Sequence, residues 1–320
     1  MNAPALDVKK AWTSRELKHD RQLFRAQFSP DGRFIAAGGQ DKLVYVWQLD
    51  GEKKKAFNAH KTWVSSLTFH PKAKRLFTAD YLGVIHCWNY ETGGGPQWTI
   101  PNADRDNVRA LVVTPDGKHL ISAGDDGEIK IWNTANGKPV AQLKGHKECI
   151  FSLAISPNGK HLVSGDLYGS IRQWSIGAWK QERELDAKIL HTRLDNFIAD
   201  VGGVRSLAFS LDGKLLAAGG MKEAKSNAFC PGKPTVLIFD WASGKQITEL
   251  RIKGKSDGPF NALRFLEDGT LAGHTEILHS ASELIFWKTD APDPLHSIAN
   301  GSAYDLSLHP DGRQLLVPTY

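Results

Sequence analysis

Twelve histidines and three cysteines are the residues of this 320-residue chain best able to hold a metal or move a proton. Their spacing argues against both. No H-E-x-x-H, C-x-x-C, G-x-G-x-x-G or G-x-x-x-x-G-K string occurs, so zincin, zinc-ribbon, dinucleotide and P-loop chemistry lack their signatures. Cys87, Cys149 and Cys230 are odd in number and far apart, which suits small buried hydrophobes in a reducing, cytoplasmic setting rather than a disulfide framework. Eight histidines occupy places in a repeat described next. His19, His60 and His146 share one place, His70 and His309 a second, His119 and His161 a third, and His86 takes an outward polar place. His191, His274, His279 and His296 are left over and, His274 and His279 apart, lack metal-ligand spacing. The expectation is no catalytic residue, no metal and no cofactor.

What must position these side chains is a repeat. A string of the form L-x-F-S-P-D-G-K-x-L recurs seven times, anchored at Phe28, Phe69, Val113, Ile155, Phe209, Phe265 and Leu308. The intervals are 41, 44, 42, 54, 56 and 43 residues, four of them near the length of a four-stranded propeller blade. Within each copy, apolar alternating runs are separated by turns such as Ser29-Pro30-Asp31-Gly32, where Pro and Gly supply turn dihedrals and block helix. The third run ends in Trp47, Trp88, Trp132, Trp174 and Trp287, with Phe239 at that place in the fifth copy.

The tryptophan followed by a polar residue and a Thr-x-x-Gly or Ala-Ser-Gly turn, with Gly145-His146 upstream, resembles the WD-repeat family over essentially the whole chain. The resemblance implies an all-β, seven-bladed propeller of four-stranded antiparallel blades, a single domain over residues 1–320. It also implies a locking network of His, Ser or Thr, Asp and Trp in each blade. By spacing, His19, Asp41 and Trp47 match in the first blade, with Ala37 in place of the hydroxyl. In the second, His60, Thr78 and Trp88 match, and Leu82 stands where the acid belongs. The third offers Ser122, Asp126 and Trp132 with Asp104 at the histidine place, and the fourth His146, Ser164 and Trp174 with Tyr168 at the acid place. No blade is complete on this reading, and the network is assigned to stability, not chemistry.

The last copy ends after its second strand, near Leu315–Val317. The sequence therefore predicts that Leu6–Trp12 and Arg15–Leu17 supply the missing strands and close the ring by pairing with 314–319, leaving no open edge. Two insertions, about 178–203 and 221–234, open onto one face, the one called top in the family.

The net charge of +5, from 40 basic and 35 acidic residues, is dispersed apart from Lys53–Lys55, which disfavours nucleic acid as partner; the alternative patch would add Lys72, Lys74 and Arg75. No stretch approaches the ~18 apolar residues of a membrane span, and Met1–Trp12 has no apolar run of the kind a signal peptide needs. The expected function is a monomeric, non-catalytic scaffold that docks proteins or peptides on the top face. Family positions carried onto this chain give Lys61, Trp63, Tyr81, Arg105, Asn107, Lys147 and Tyr168 as partner-binding residues. The alternative is an enzyme- or redox-associated propeller with a site built by the insertions around His191, Asp195, Asp200 and Cys230.

Overall fold

A computed structural model describes residues 6–51, 53–227, 231–252, 258–275 and 282–319. Each repeat forms an antiparallel sheet. In the first, strands Leu23–Phe28, Phe34–Gly39, Leu43–Gln48 and Lys54–Asn58 pair in sequence order. The second strand is buried throughout, whereas the fourth alternates and faces solvent. That gradient marks a blade whose middle strands are covered on both faces by neighbouring blades. The turn after the first strand is built by its own side chains: the Ser29 hydroxyl donates to Asp31 Oδ1 at 2.6 Å, and the Arg33 amide donates to the same oxygen at 3.2 Å.

Among the described residues the ring has six four-stranded blades, at residues 23–58, 64–100, 108–143, 150–186, 206–250 and 260–300. This corrects the seven expected from the repeat count. The seventh repeat yields only a two-stranded sheet, Ser307–Leu308 with Leu315–Leu316, and an isolated bridge between Ala303 and Thr319. Ring closure by N-terminal strands is also overturned. Val8–Lys10 is a 3-10 turn capped by Asp7, no strand precedes Leu23 among the described residues, and Trp12 is 81% exposed. Leu6 and Val8 pack instead against a buried cluster of Ala262, Leu266, Leu284 and Phe286 of the sixth blade with Leu306, as a hydrophobic cover and not as a ladder.

Closure is achieved instead by the ordinary blade-to-blade contact. Apolar clusters bridge successive blades: Trp88 packs on Phe34, Val44 and Phe57 of the blade before it, and Trp132 on Phe77, Ile85 and Ile100. Phe239 fills the equivalent gap with Val163 and Ile171. Between the last unit and the first blade, the Ala26 amide donates to Asp305 Oδ2 at 3.3 Å and the Phe28 amide to Ser307 Oγ at 3.1 Å. His309 lies on Gly32 as His70 lies on Gly117 of the next blade. Both glycines have positive φ, and a Cβ on either would come within 2.2 or 2.5 Å of the imidazole.

The two insertions, separated by the first strand of the fifth blade and most of its second, form one body. A hairpin of His191–Leu194 and Ala199–Gly202 follows the fourth blade. The fifth blade's second and third strands run on as Leu215–Lys222 and Lys233–Asp240. Val201, Met221 and Ala224, with Leu194 and Ala199, give this body a core of its own.

Candidate functional site

One repeated position brings several side chains together at one end of the inner strands. In five inner strands a β-bulge breaks the register four residues before the repeat anchor, at Phe24, Ser65, Arg109, Phe151 and Asn261. A bulged residue leaves the ladder and its side chain is re-aimed, which is why bulges gather beside binding sites. Arg205 and Tyr304 occupy the same place in the fifth and seventh repeats.

Five of these seven side chains sort into two zones, while Ser65 is buried and its hydroxyl donates to the Val108 carbonyl at 2.7 Å. Phe24 has its ring 5.7 Å from Trp63, 6.4 Å from Tyr81 and 5.6 Å from Tyr304. Trp63 and Tyr81 meet edge to face at 5.7 Å and remain 42% and 41% exposed. In the second zone, Arg109 and Arg205 approach the Phe151 ring at 5.0 and 3.8 Å, and Arg109 is bonded to Asp125. Cys149, amid Arg109, Asp125, Arg205 and Glu148, has its thiol pushed up to about 11, chiefly by burial and against the pull of Arg109. It is therefore a poor nucleophile at neutral pH.

Of the seven residues read as partner-binding, the structure brings only Trp63 and Tyr81 together. Lys61, Arg105 and Lys147 are exposed, Arg105 beside Asp106 at 3.3 Å. Asn107 is buried, 4% exposed, so it offers little to a partner. Tyr168 turns away from these residues toward the insertion hairpin, its ring 5.1 Å from His191 and its hydroxyl 3.4 Å from Glu148. Phe24 and Tyr304 were missed, although counting four residues back from each repeat anchor finds them.

The locking network is more complete than its spacing implied. In the second blade the acid is Asp80, not position 82: His60 Nδ1 donates to Asp80 Oδ2 at 2.8 Å. The Thr78 hydroxyl meets His60 Nε2 at 2.7 Å and accepts from Trp88 Nε1 at 2.8 Å. Asp166 does the same in the fourth blade, with His146 Nδ1 at 2.7 Å, while Ser164 contacts His146 Nε2 at 2.6 Å and accepts from Trp174 Nε1 at 2.9 Å. Leu82 and Tyr168 therefore leave no acid missing. The first blade keeps a His19–Asp41 contact at 3.0 Å, with the Tyr45 hydroxyl donating to Asp41 at 2.7 Å. In the third, Trp132 donates to Ser122 at 2.9 Å and Asp126 is bonded to Lys130. Trp287 lies buried in the sixth blade and donates to the Arg251 carbonyl at 2.9 Å. His86, read as outward, is buried against the His60 ring and bonded to Thr99, and burial lowers it to about 4.

The family model described as "WD domain, G-beta repeat" matches residues 14–48, 51–89, 94–133, 137–175 and 192–222, more than half of the chain. The chain belongs to the WD-repeat family. It is 30% identical over 127 residues to the human "Angio-associated migratory cell protein", covering 40% of this chain and 28% of that one. It is 27% identical over 178 residues to a U3 snoRNP-associated protein-like chain of Arabidopsis thaliana, covering 44% and 36%. A third relative, the "Target of rapamycin complex subunit wat1" of Schizosaccharomyces pombe, is 25% identical over 138 residues, covering 41% and 44%. The chain thus spans less than half the length of each of these relatives.

This WD-repeat propeller also carries a shallow groove of about 500 Å³ beside the insertion, lined by Tyr168, Lys188, His191, Arg193 and Asp200. His191 and Arg193 both bind Asp200, at 2.8 and 2.7 Å, so these charges staple the hairpin. Asp195 lies at its exposed end, and Cys230 and His279 fall outside the described residues. A G-x-S-x-G string at Gly254–Gly258 escaped the motif reading; residues 253–257 are likewise outside the described residues. The strand-turn-helix that such a motif requires is not a feature of the antiparallel blades on either side. Among the described residues no group of three or more His, Cys, Asp or Glu is placed to hold a metal, and no helix is long and apolar enough to cross a membrane.

Proposed function

We propose that the chain is a non-catalytic scaffold that docks a partner protein or peptide at the upper mouth of the propeller, with Trp63 and Tyr81 as anchors backed by Phe24 and Tyr304. The observation that carries this is two half-exposed aromatic rings held edge to face against a third. Rigid aromatics bury much area on binding at small entropic cost, and such residues dominate interface energies. The exposed Lys61, Arg105 and Lys147 form the polar rim, where substitutions change association rate more than affinity. Membership of the WD-repeat family supports a role in protein interaction. So does the relative named as a subunit of the target of rapamycin complex. The free thiols of Cys87 and Cys149 are consistent with work in the cytoplasm.

The test is capture of partners from the native host by the purified chain, followed by mass spectrometry. Trp63→Ala with Tyr81→Ala should weaken capture by about 2 kcal/mol or more, roughly thirty-fold, with an unchanged melting temperature. A folded double variant that retains the full partner set refutes the assignment.

A further inference from the structure

The body formed by the two insertions has two unlike faces. In its hairpin His191 pairs with Gly202, Thr192 with Val201, Arg193 with Asp200 and Leu194 with Ala199. Side chains alternate along a strand, so Leu194, Ala199 and Val201 share the inner face, where they meet Met221 and Ala224. His191, Arg193 and Asp200 take the outer face, along the groove they share with Tyr168 and Lys188.

The turn that joins the strands, Asp195–Phe197 followed by Ile198, leaves two apolar side chains in water: Phe197 is 50% exposed and Ile198 81%. Ile198 holds φ +51° and ψ +38°. Branching at Cβ makes this left-handed region costly, and asparagine or glycine would suit both the backbone and the solvent better there. The fold gains nothing from the isoleucine side chain, yet holds it outward. Of the four non-glycine residues with positive φ among the described residues, a second, Glu223, lies on the same body. Backbone strain of this kind gathers where a surface is shaped for a ligand.

Charge indicates which ligand. Segments 187–203 and 221–234 carry Lys188, Arg193, Lys222, Lys225 and Lys233 against Asp195, Asp200 and Glu223, five charges to three, a net +2. Arg193 is held by Asp200 at 2.7 Å and by Asp195 at 3.6 Å. Lys222 is bonded to Glu249 and Lys233 to Glu223. Lys188 and Lys225 are exposed and have no acidic partner among the described residues. Lys188 sits at the base of the hairpin, and a strand of this length puts it about 10 Å from the tip, the reach of roughly three extended residues.

We propose that the hairpin tip and its groove form a second docking surface, for an acidic, extended segment of a partner protein. Phe197 and Ile198 cover a large apolar side chain of that segment, and Lys188 pairs with a carboxylate about three residues along it. Two bodies of net +2 repel, which disfavours a second copy of this chain as the occupant. An anionic lipid surface is disfavoured by Asp195, whose side chain is 92% exposed beside the tip. The surface shares no residue with the Trp63 and Tyr81 site and stands independently of it.

Selection of phage-displayed random peptides on the purified full chain tests this. Enriched peptides should combine a large apolar residue with Asp or Glu about three positions away. Ile198→Asn should weaken their binding by about ten-fold or more while the melting temperature holds or rises, since the strain is relieved. Lys188→Glu should weaken them by about ten-fold as well. Trp63→Ala with Tyr81→Ala should bind them as wild type does, which separates this surface from the first. Should Ile198→Asn fail to fold, Phe197→Ser takes its place with the same expectation. No enrichment, enriched peptides without acidic residues, or equal binding to Ile198→Asn overturns the proposal. So does self-association of the wild type, or its binding to phosphatidylserine vesicles, that Ile198→Asn abolishes, because either gives the tip a different occupant.

Discussion

Asp80→Ala should be among the most damaging single-carboxylate removals in the protein. The Asp80 side chain is 1% exposed, and its two oxygens serve different masters. Oδ2 accepts from His60 Nδ1, while Oδ1 accepts the amides of Leu82 and Val84 at 3.0 and 3.1 Å. The chain of donors has one direction: Trp88 Nε1 to the Thr78 hydroxyl, that hydroxyl to His60 Nε2, and His60 Nδ1 to the carboxylate. Alanine leaves a fully buried imidazole donor unsatisfied, at about 1–3 kcal/mol, with a smaller loss at the two turn amides, which water can reach.

We therefore expect about 2–4 kcal/mol in denaturant unfolding, or a fall in Tm of roughly 3–6 °C for a chain of this size if it melts as one unit. Asp80→Asn should cost less, because its amide oxygen can still take both turn amides, but the NH2 then meets the histidine and reverses the donor chain. Leu82→Ala, at the exposed position read first as the acid place, should be nearly neutral. A cost below about 1 kcal/mol for Asp80→Ala, or equal costs at positions 80 and 82, would refute the assignment.

Three further outcomes follow from packing. Trp132→Ala should cost about 3–5 kcal/mol by chemical denaturation, since the indole fills the seam with Phe77 and Ile100 and its donor serves Ser122; Trp12→Ser, at an 81% exposed site, should leave Tm unchanged. Gly32→Ala should destabilise by more than about 1 kcal/mol and loosen the seam between the first blade and the seventh unit. Increased exchange of the Phe28 and Ala26 amides, which donate across that seam, reads it directly, and unchanged exchange counts against closure by this contact.

How much was legible follows from what repeats and what does not. The alternating runs, turns of the Pro-Asp-Gly type and terminal tryptophans report local preference in most copies, and these identified the propeller fold and the blade seams. The blade count failed because the seventh copy has its anchor and turn but only two strands, and an anchor count cannot see strands. The N-terminal closure failed for a physical reason. Asp7 accepts the Lys9 amide and starts a turn at Val8, while Leu6 and Val8 cover the apolar cluster of the sixth blade and Leu306 without a ladder. The acid of the network was misplaced because two positions of one turn can deliver a carboxylate to the same histidine, from 41 in the first blade and from 80 in the second. Phe24 and Tyr304 were invisible to a search for family-specific contacts, because a bulge position carries variable residues and shows itself only through register.

The mouth and the insertion body illustrate two ways a rigid ring acquires a distinctive surface. At the bulges, a residue can change from serine to arginine to phenylalanine without disturbing a ladder it has already left, so recognition varies there at little structural cost. The insertions follow a different rule. Neither could bury its apolar face alone, and Val201 of one needs Met221 and Ala224 of the other. The Ala224 amide, donating to Thr192 Oγ1 at 3.1 Å, ties them as well. The two segments must therefore fold, and be altered, together. At the hairpin's end this shared body holds Ile198 in the left-handed region, at φ +51°, with 81% of the residue exposed. A β-branched residue adopts that conformation only where its surroundings over-determine it. The strain sits at the outermost point of the hairpin, and the paired strands beneath it with the Asp200 staples keep it in place.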